Sequence, residues 1–268
     1  MPATRPEAAV AFITREKFAW ALASLKRLYA LAGAPFTLYL VDGVYPPAVR
    51  AGLEAFLADK PNVVRIDARR FLYPGEALNL VVEQLAEPYL LLLQNDVLIG
   101  RNALGLMLET ARELGCDAVV PQILDTDTGS PAVHRATGFP VALCEEAGRV
   151  HFDFAHAVDP QLRSGRARTD YFEVHCLLLG TAAARAVSPL PPLSVHDHID
   201  LCVALWRLGM SAYLDERARV LYMDSPPLPL RDYECCTWTA RRCRCAITSA
   251  RSTASAGTRC ARANPMLT

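Results

Sequence analysis

The chain has 268 residues, 52% of them hydrophobic and 21% charged, with 28 basic groups balancing 28 acidic ones. That length holds one large domain or two modest ones around a buried core, and the composition excludes a disordered, collagen-like or coiled-coil chain. The balance is uneven: six arginines and no acid follow Glu234, so the first 234 residues set 22 basic groups against 28 acids, which argues against nucleic acid as a partner.

In chain order, the N-terminus carries Arg5 and Glu7 where a signal peptide needs an apolar core. No later stretch reaches the roughly 18 consecutive apolar residues of a membrane-spanning helix. A cytoplasmic chain, at most peripheral to a membrane, is the expectation. Residues 8–14 (AAVAFIT) predict a buried strand, and 16–31 a helix with Phe18, Leu22, Leu25 and Tyr29 along one face. A second strand follows at 36–42, a helix at 46–57 with Val49, Leu53 and Phe56 on one face, and a short strand at 62–66. Residues 76–85 predict a helix, 88–93 (PYLLLL) the most apolar strand of the chain, 101–114 a helix and 117–123 a strand. Residues 125–168 lose this rhythm and are read as loops with room for one added hairpin. Regularity returns with a strand at 174–180, a helix at 181–187, and a helix from near His198 with Leu201, Leu205 and Leu208 on one face and Gly209 as its stop. Strands alternating with amphipathic helices predict an α/β sandwich, a mostly parallel central sheet with helices on both faces.

The body is bounded at residues 1–232 and a tail at 233–268. Cys116, Cys144, Cys176 and Cys202 are scattered through the body, as reduced buried thiols are, whereas Cys235, Cys236, Cys243, Cys245 and Cys260 crowd into the tail among Arg, Ala, Ser and Thr. The tail lacks paired Cys-x₂-Cys knuckles and apolar periodicity, and reads as a segment without a core, either disordered or translated out of frame.

Polar residues at strand ends mark the ligand edge of an open α/β sheet. Thr14-Arg15 follows the first strand and Asp42-Gly43 the second, where the acid could accept from a ribose or base, although an Asp-Gly pair is also simply a turn. Gln94-Asn95-Asp96 follows the apolar PYLLLL strand. Asp96 could hold Mg²⁺ or Mn²⁺ against a diphosphate, or the trio could only turn the chain. His196-Asp197-His198-Ile199-Asp200 opens the late helix. There an ionised carboxylate both caps the helix and can serve as a general base, while alternating histidines diverge too far to share one zinc ion.

In order and spacing, Thr14-Arg15, Asp42-Gly43, Gly75-Glu76-Ala77-Leu78-Asn79, LLLLQNDV and DHIDLCVALWRLG resemble glycosyltransferase family 2 over residues 8–222. The resemblance implies a GT-A fold and inverting transfer of a sugar from a nucleotide-diphosphate donor to a saccharide, lipid-linked or other hydroxyl acceptor. It implies that Thr14, Arg15, Asp42, Gly43, Gly75, Asn79 and Asn95 hold the donor nucleotide. Asp96 with Mg²⁺ or Mn²⁺ would neutralise the departing diphosphate, and Asp197 would be the base, with His198 or Asp200 orienting it. Three departures accompany it: Gln94 stands where the metal motif has its first acid, Tyr222 where relatives often have a histidine, and the Cys- and Arg-rich tail where C-terminal elements usually help bind the acceptor. These favour the alternative of a nucleotide-sugar-binding protein, or an inactive transferase-like one, without turnover. A nucleotidyltransferase would need a glycine-rich phosphate loop after the first strand, and Thr14-Arg15-Glu16-Lys17 has no glycine.

Overall fold

A computed structural model describes residues 6–15, 17–125, 132–134, 141–153, 165–191 and 197–223, with the side chains of Ala132 and Asp197 outside the description. The tail expected at 233–268 and His196 lie outside the described residues.

The elements run β1 (Ala8–Ile13), α1 (Ala21–Leu31), β2 (Phe36–Asp42), α2 (Pro47–Leu57), β3 (Val63–Asp67), α3 (Pro74–Val82), β4 (Tyr89–Gln94), β5 (Val97–Ile99), α4 (Ala103–Leu114) and β6 (Ala118–Asp125). Then come β7 (Ala132–Val133), a β8 (Ala142–Glu146) and β9 (Arg149–Asp153) hairpin, β10 (Arg166–Arg168), β11 (Cys176–Gly180), α5 (Thr181–Val187), α6 (Asp197–Arg207) and β12 (Ala212–Tyr222). The main sheet has the order β10-β12-β6-β11-β4-β1-β2-β3, with β5 against β12 and β7 against β6.

Strand alternation divides the core between two layers. Val10, Phe12, Leu91, Leu93 and Val119 face α1, α2 and α4 through Leu25, Leu28, Leu53, Leu57, Leu104 and Met107. Ala9, Ala11, Leu90, Leu92 and Val120 face α3, α5 and α6 through Leu78, Val81, Ala184, Leu201 and Leu205. Leu90–Leu93 are at most 1% exposed because β4 is covered on both sides, so its sequence is apolar without alternation. The α/β sandwich read from the sequence is therefore the fold, and α6 ends as expected, with Gly209 at φ +70° just past it.

Four strands depart from the parallel pattern: the short β5, β7 and β10 pair antiparallel with β12 or β6, and β11 runs antiparallel inside the sheet and shapes the ligand edge. β1, β2, β3 and β4 are mutually parallel, as are β6 and β12, but β11 runs antiparallel between β4 and β6. Its beginning, not its end, thus lies at the carboxyl edge. Residues 125–168, read as loops with room for one added hairpin, supply such a hairpin in β8 and β9 and also β7 and β10, which extend the main sheet.

Behind the sheet, Asp215 of β12 is fully buried and accepts from Thr110 Oγ1 (2.6 Å) and from Arg217 Nε and Nη2 (2.9 and 2.8 Å). Arg166 crosses from β10 to Glu109 and Glu113 of α4 (2.7 and 2.5 Å). This network fastens α4 to the sheet's far edge.

Candidate active site at the carboxyl edge of the sheet

The register Ile13↔Val41 and Ile13↔Gln94 makes β1, β2 and β4 end side by side, so Thr14, Asp42 and Asn95 emerge next to one another. Thr14 is 3% exposed; its hydroxyl donates to the Val41 carbonyl (2.9 Å) and accepts from the Gly43 N–H (2.9 Å), tying the first two strand ends together. A Cβ on Gly43 would lie 3.2 Å from the Thr14 Cβ, so the small residue permits this approach. Asp42 Oδ1 accepts from the N–H groups of Val44 and Tyr45 (2.9 and 3.0 Å) and Oδ2 pairs with Arg50 Nε (2.9 Å), the turn-forming arrangement of an Asx residue.

Asn95 is fully buried. Its side-chain oxygen accepts from the Arg15 N–H, its amide nitrogen donates to the Lys17 carbonyl (3.2 Å), and its own N–H donates to the Ile13 carbonyl (3.0 Å). The side chain acts on the Arg15 loop and through it on the site. Asn79, expected beside the nucleotide with Gly75, clasps the backbone of Leu190: Nδ2 donates to its carbonyl and Oδ1 accepts from its N–H, both at 2.9 Å. Gly75 lies under the same stretch, where a Cβ would come within 3.1 Å of the Leu190 Cβ. Both residues thus shape the segment that leads toward α6. Asn79→Ala leaves two backbone groups of the buried Leu190 unsatisfied, a loss of about 2 kcal/mol. Scanning calorimetry is expected to find the variant melting roughly 4–8 °C lower; an unchanged melting point would remove Asn79 from this role.

Asp96 is 1% exposed, and its carbonyl accepts from the Met223 N–H (3.1 Å), which sets the end of β12 beside it. Gln94 looks the other way. Because β11 is antiparallel, His175 arrives opposite Gln94: the Gln94 N–H donates to the His175 carbonyl (3.0 Å), and His175 Nδ1 meets Gln94 Oε1 at 2.8 Å. From there a polar chain crosses the edge. His175 Nε2 lies 2.8 Å from Glu173 Oε2, His134 Nε2 lies 2.9 Å from the same oxygen, and His134 Nδ1 lies 2.7 Å from Asp125 Oδ1. Tyr222 stacks on His175 with ring centroids 4.1 Å apart, and Lys17 Nζ sits 4.2 Å from the centroid of the Tyr222 ring.

Charge follows from this packing. Burial pulls the Glu173 carboxyl upward, but hydrogen bonds and charge from His134 and His175 outweigh it and hold the group well below the usual carboxylate range. Its hydrogen bond with Glu173, against partial burial and helped by Asp125, pushes His134 up to about 9.

Glu173 also reaches the late helix. Tyr171 Oη lies 3.5 Å from Glu173 Oε1 and 3.4 Å from His198 Nε2, so His198, at the start of α6, joins the same chain of contacts as Gln94. Burial first, and then the Glu173 charge, push the Tyr171 phenol up to about 12. Asp200, two positions on, diverges as helix geometry requires. It is exposed and lines a groove of about 300 Å³ with Val187, Pro189, Leu190, Val203 and Arg207. Asp197 is the first residue of α6. The structure thus brings Thr14, Asp42, Gly43 and Asn95 together at one strand edge, links Gln94 to His198, and sets Asp200, Gly75 and Asn79 around Leu190.

His134, Glu173 and His175 were not singled out from the sequence. The available signal was a polar Glu-Val-His immediately before the apolar CLLLG, which a parallel strand would have carried to the opposite edge.

No family model matches the chain, and no curated protein does. Solved structures do share its fold. A crystal structure of GalNAc-T7 with UDP, GalNAc and Mn²⁺ superposes with a TM-score of 0.64 at 11% identity, over 83% of this chain and 45% of that one. S. aureus TarS 1-349 in complex with UDP-GlcNAc gives 0.60 at 13% identity, over 82% and 59%. The mannosyltransferase PcManGT from Pyrobaculum calidifontis, in complex with GDP-Man and Mn²⁺, gives 0.58 at 12% identity, over 96% and 66%. The chain therefore spans from under half to about two thirds of the length of these proteins. Among the described residues no helix is long and apolar enough to cross a membrane. By its architecture and its structural neighbours, the chain has the GT-A fold of glycosyltransferases.

Proposed function

We propose that the protein transfers a sugar from a nucleotide-diphosphate donor to an acceptor hydroxyl, with inversion at the anomeric carbon, in the manner of glycosyltransferase family 2. The observation that supports this best is the contact chain Gln94–His175–Glu173–Tyr171–His198, which couples the end of β4 to the start of α6 across the ligand edge of a GT-A sheet.

In this reading Thr14, Asp42 and Gly43 form the floor for the nucleotide, and Arg15, held by Asn95, meets its phosphates. Gly75 and Asn79 contribute by fixing the segment around Leu190. Asp197, favoured as an anion by the N-terminus of α6, takes the proton of the acceptor hydroxyl as the new bond forms, with His198 beside it and Asp200 on the groove side. Asp96 brings one carboxylate to Mg²⁺ or Mn²⁺, while the Gln94 amide oxygen is already engaged by His175, so that pair fits a single-carboxylate contact and not a two-acid site. An ion held there would supply positive charge against the leaving diphosphate. The acceptor class is a saccharide, lipid-linked or other hydroxyl.

The test is a melting-point screen against UDP-, GDP- and dTDP-sugars with and without Mn²⁺, followed by a donor-consumption assay on any hit. A donor at a hundred times its Kd adds about 2.7 kcal/mol to stability and raises the melting point by several degrees. Stabilisation with turnover supports the transferase; stabilisation without turnover would identify a binding protein; no shift with any donor would discard both.

A further inference from the structure

We infer that His134, Glu173 and His175 form a binding site for one divalent first-row transition-metal ion, built from two imidazoles and one carboxylate and separate from Asp96. His134 Nε2 and His175 Nε2 both lie against Glu173 Oε2, and one ligand atom from each of the three residues lies within 4.8 Å of the others. The contacts to Glu173 Oε2 are 2.9 and 2.8 Å. Ligand atoms about 2.1 Å from a shared ion lie about 3.0 Å apart at octahedral angles and about 3.4 Å apart at tetrahedral ones, so the two nitrogen–oxygen contacts have to open by only about 0.1–0.6 Å.

The outer nitrogens of the two rings give the stronger argument. His134 Nδ1 is 2.7 Å from the Asp125 carboxylate and His175 Nδ1 is 2.8 Å from the Gln94 amide oxygen. Both partners are acceptors, so each Nδ1 carries the hydrogen, which turns each Nε2 lone pair toward a carboxylate oxygen. Three lone-pair-bearing atoms facing one another are reconciled by two ring protons or by one dication, and the exchange of one for the other leaves the net charge unchanged. A histidine that donates its far nitrogen to a carboxylate or carbonyl is the supporting arrangement of metal-bound imidazole. His134, Glu173 and His175 are 20%, 15% and 17% exposed, so an ion can enter. Two nitrogens and one oxygen select Zn²⁺, Mn²⁺, Fe²⁺ or Co²⁺ over Mg²⁺ and Ca²⁺, which favour all-oxygen sets.

The inference needs no donor and does not depend on the transferase reading. Its test uses the whole 268-residue chain without a histidine tag and without nucleotide. Mn²⁺ is the probe because the cysteine-rich tail attracts softer ions more strongly. Equilibrium dialysis is expected to give one Mn²⁺ per chain, with Mg²⁺ competing at least about 100-fold more weakly. Pulsed electron paramagnetic resonance on the bound Mn²⁺ is expected to show two coordinated imidazole nitrogens. His134→Ala and Glu173→Gln should each weaken binding by at least about 30-fold, and Asp96→Asn by less than about threefold. No saturable Mn²⁺ uptake, fewer than two nitrogen couplings, or loss with Asp96→Asn but not with Glu173→Gln would each overturn it. If a variant fails to fold, the nitrogen count on the unmodified protein decides.

Discussion

Asparagine in place of Asp197 is expected to lower sugar transfer by about 10²–10⁴-fold, while donor affinity changes by less than about threefold. The substitution keeps the size and shape of the side chain and removes its ability to take a proton. A base that acts on the acceptor hydroxyl is needed in the transition state and not for holding the donor, so kcat falls and donor Kd does not. Initial rates with a donor found in the melting-point screen, set beside calorimetric titration of that donor, separate the two quantities. A parallel fall in both would assign Asp197 to the structure of the α6 entrance and remove it from the chemistry. His198→Ala, which cuts the contact to Tyr171 but leaves Asp197, should show a smaller loss of rate.

The largest expected stability effect lies away from the site. Asp215→Asn should destabilise the protein by about 3 kcal/mol, and the melting point should fall by roughly 6–12 °C. Asp215 is fully buried and compensates Arg217 directly, with Arg166 Nε 3.8 Å away, so a neutral amide leaves crowded donors facing one another. Burial pulls the Asp215 carboxyl upward, but hydrogen bonds from Arg217 and Thr110 prevail and hold it below its ordinary value. A carboxyl depressed in the folded state contributes stability above its unfolded pKa of about 3.9, and that contribution is lost as pH falls through the lower folded value. Denaturant titrations from pH 6 down to pH 2 should therefore show a shallower acid decline for Asp215→Asn than for the parent. Equal slopes would show that the Asp215 charge adds nothing to the fold.

What the sequence revealed and what it concealed divide along one physical line. β1, β2 and β4 were legible because covered strands are apolar along their whole length, and Thr14, Asp42 and Gln94 were legible because polarity appears abruptly where such strands end. α6 was legible from its 3.6-residue spacing and Gly209. Strand direction left no comparable mark. CLLLG reads equally well in either sense, so the antiparallel β11 and its gift of Glu173 and His175 to the carboxyl edge could not be read from periodicity. His134 was hidden for a second reason: β7 is two residues long, too short for any pattern, and is defined by pairing with β6. The motif residues Asn79 and Asn95 were found by resemblance, yet composition says nothing about whether an amide faces a ligand or a neighbouring loop, and here both grip backbone.

The reversed strand makes alignment along β11 matter more than the side chains within it. Cys176 stands opposite Leu93, which delivers His175 to Gln94. Sliding β11 by one position would turn His175 to the other surface of the sheet and offer Gln94 a cysteine or a valine instead. Conservative exchanges among the leucines at 177–179 should be tolerated, whereas loss or gain of a single codon between 176 and 180 would dismantle the histidine cluster even in a molecule that still folds. Length is what this segment has to preserve.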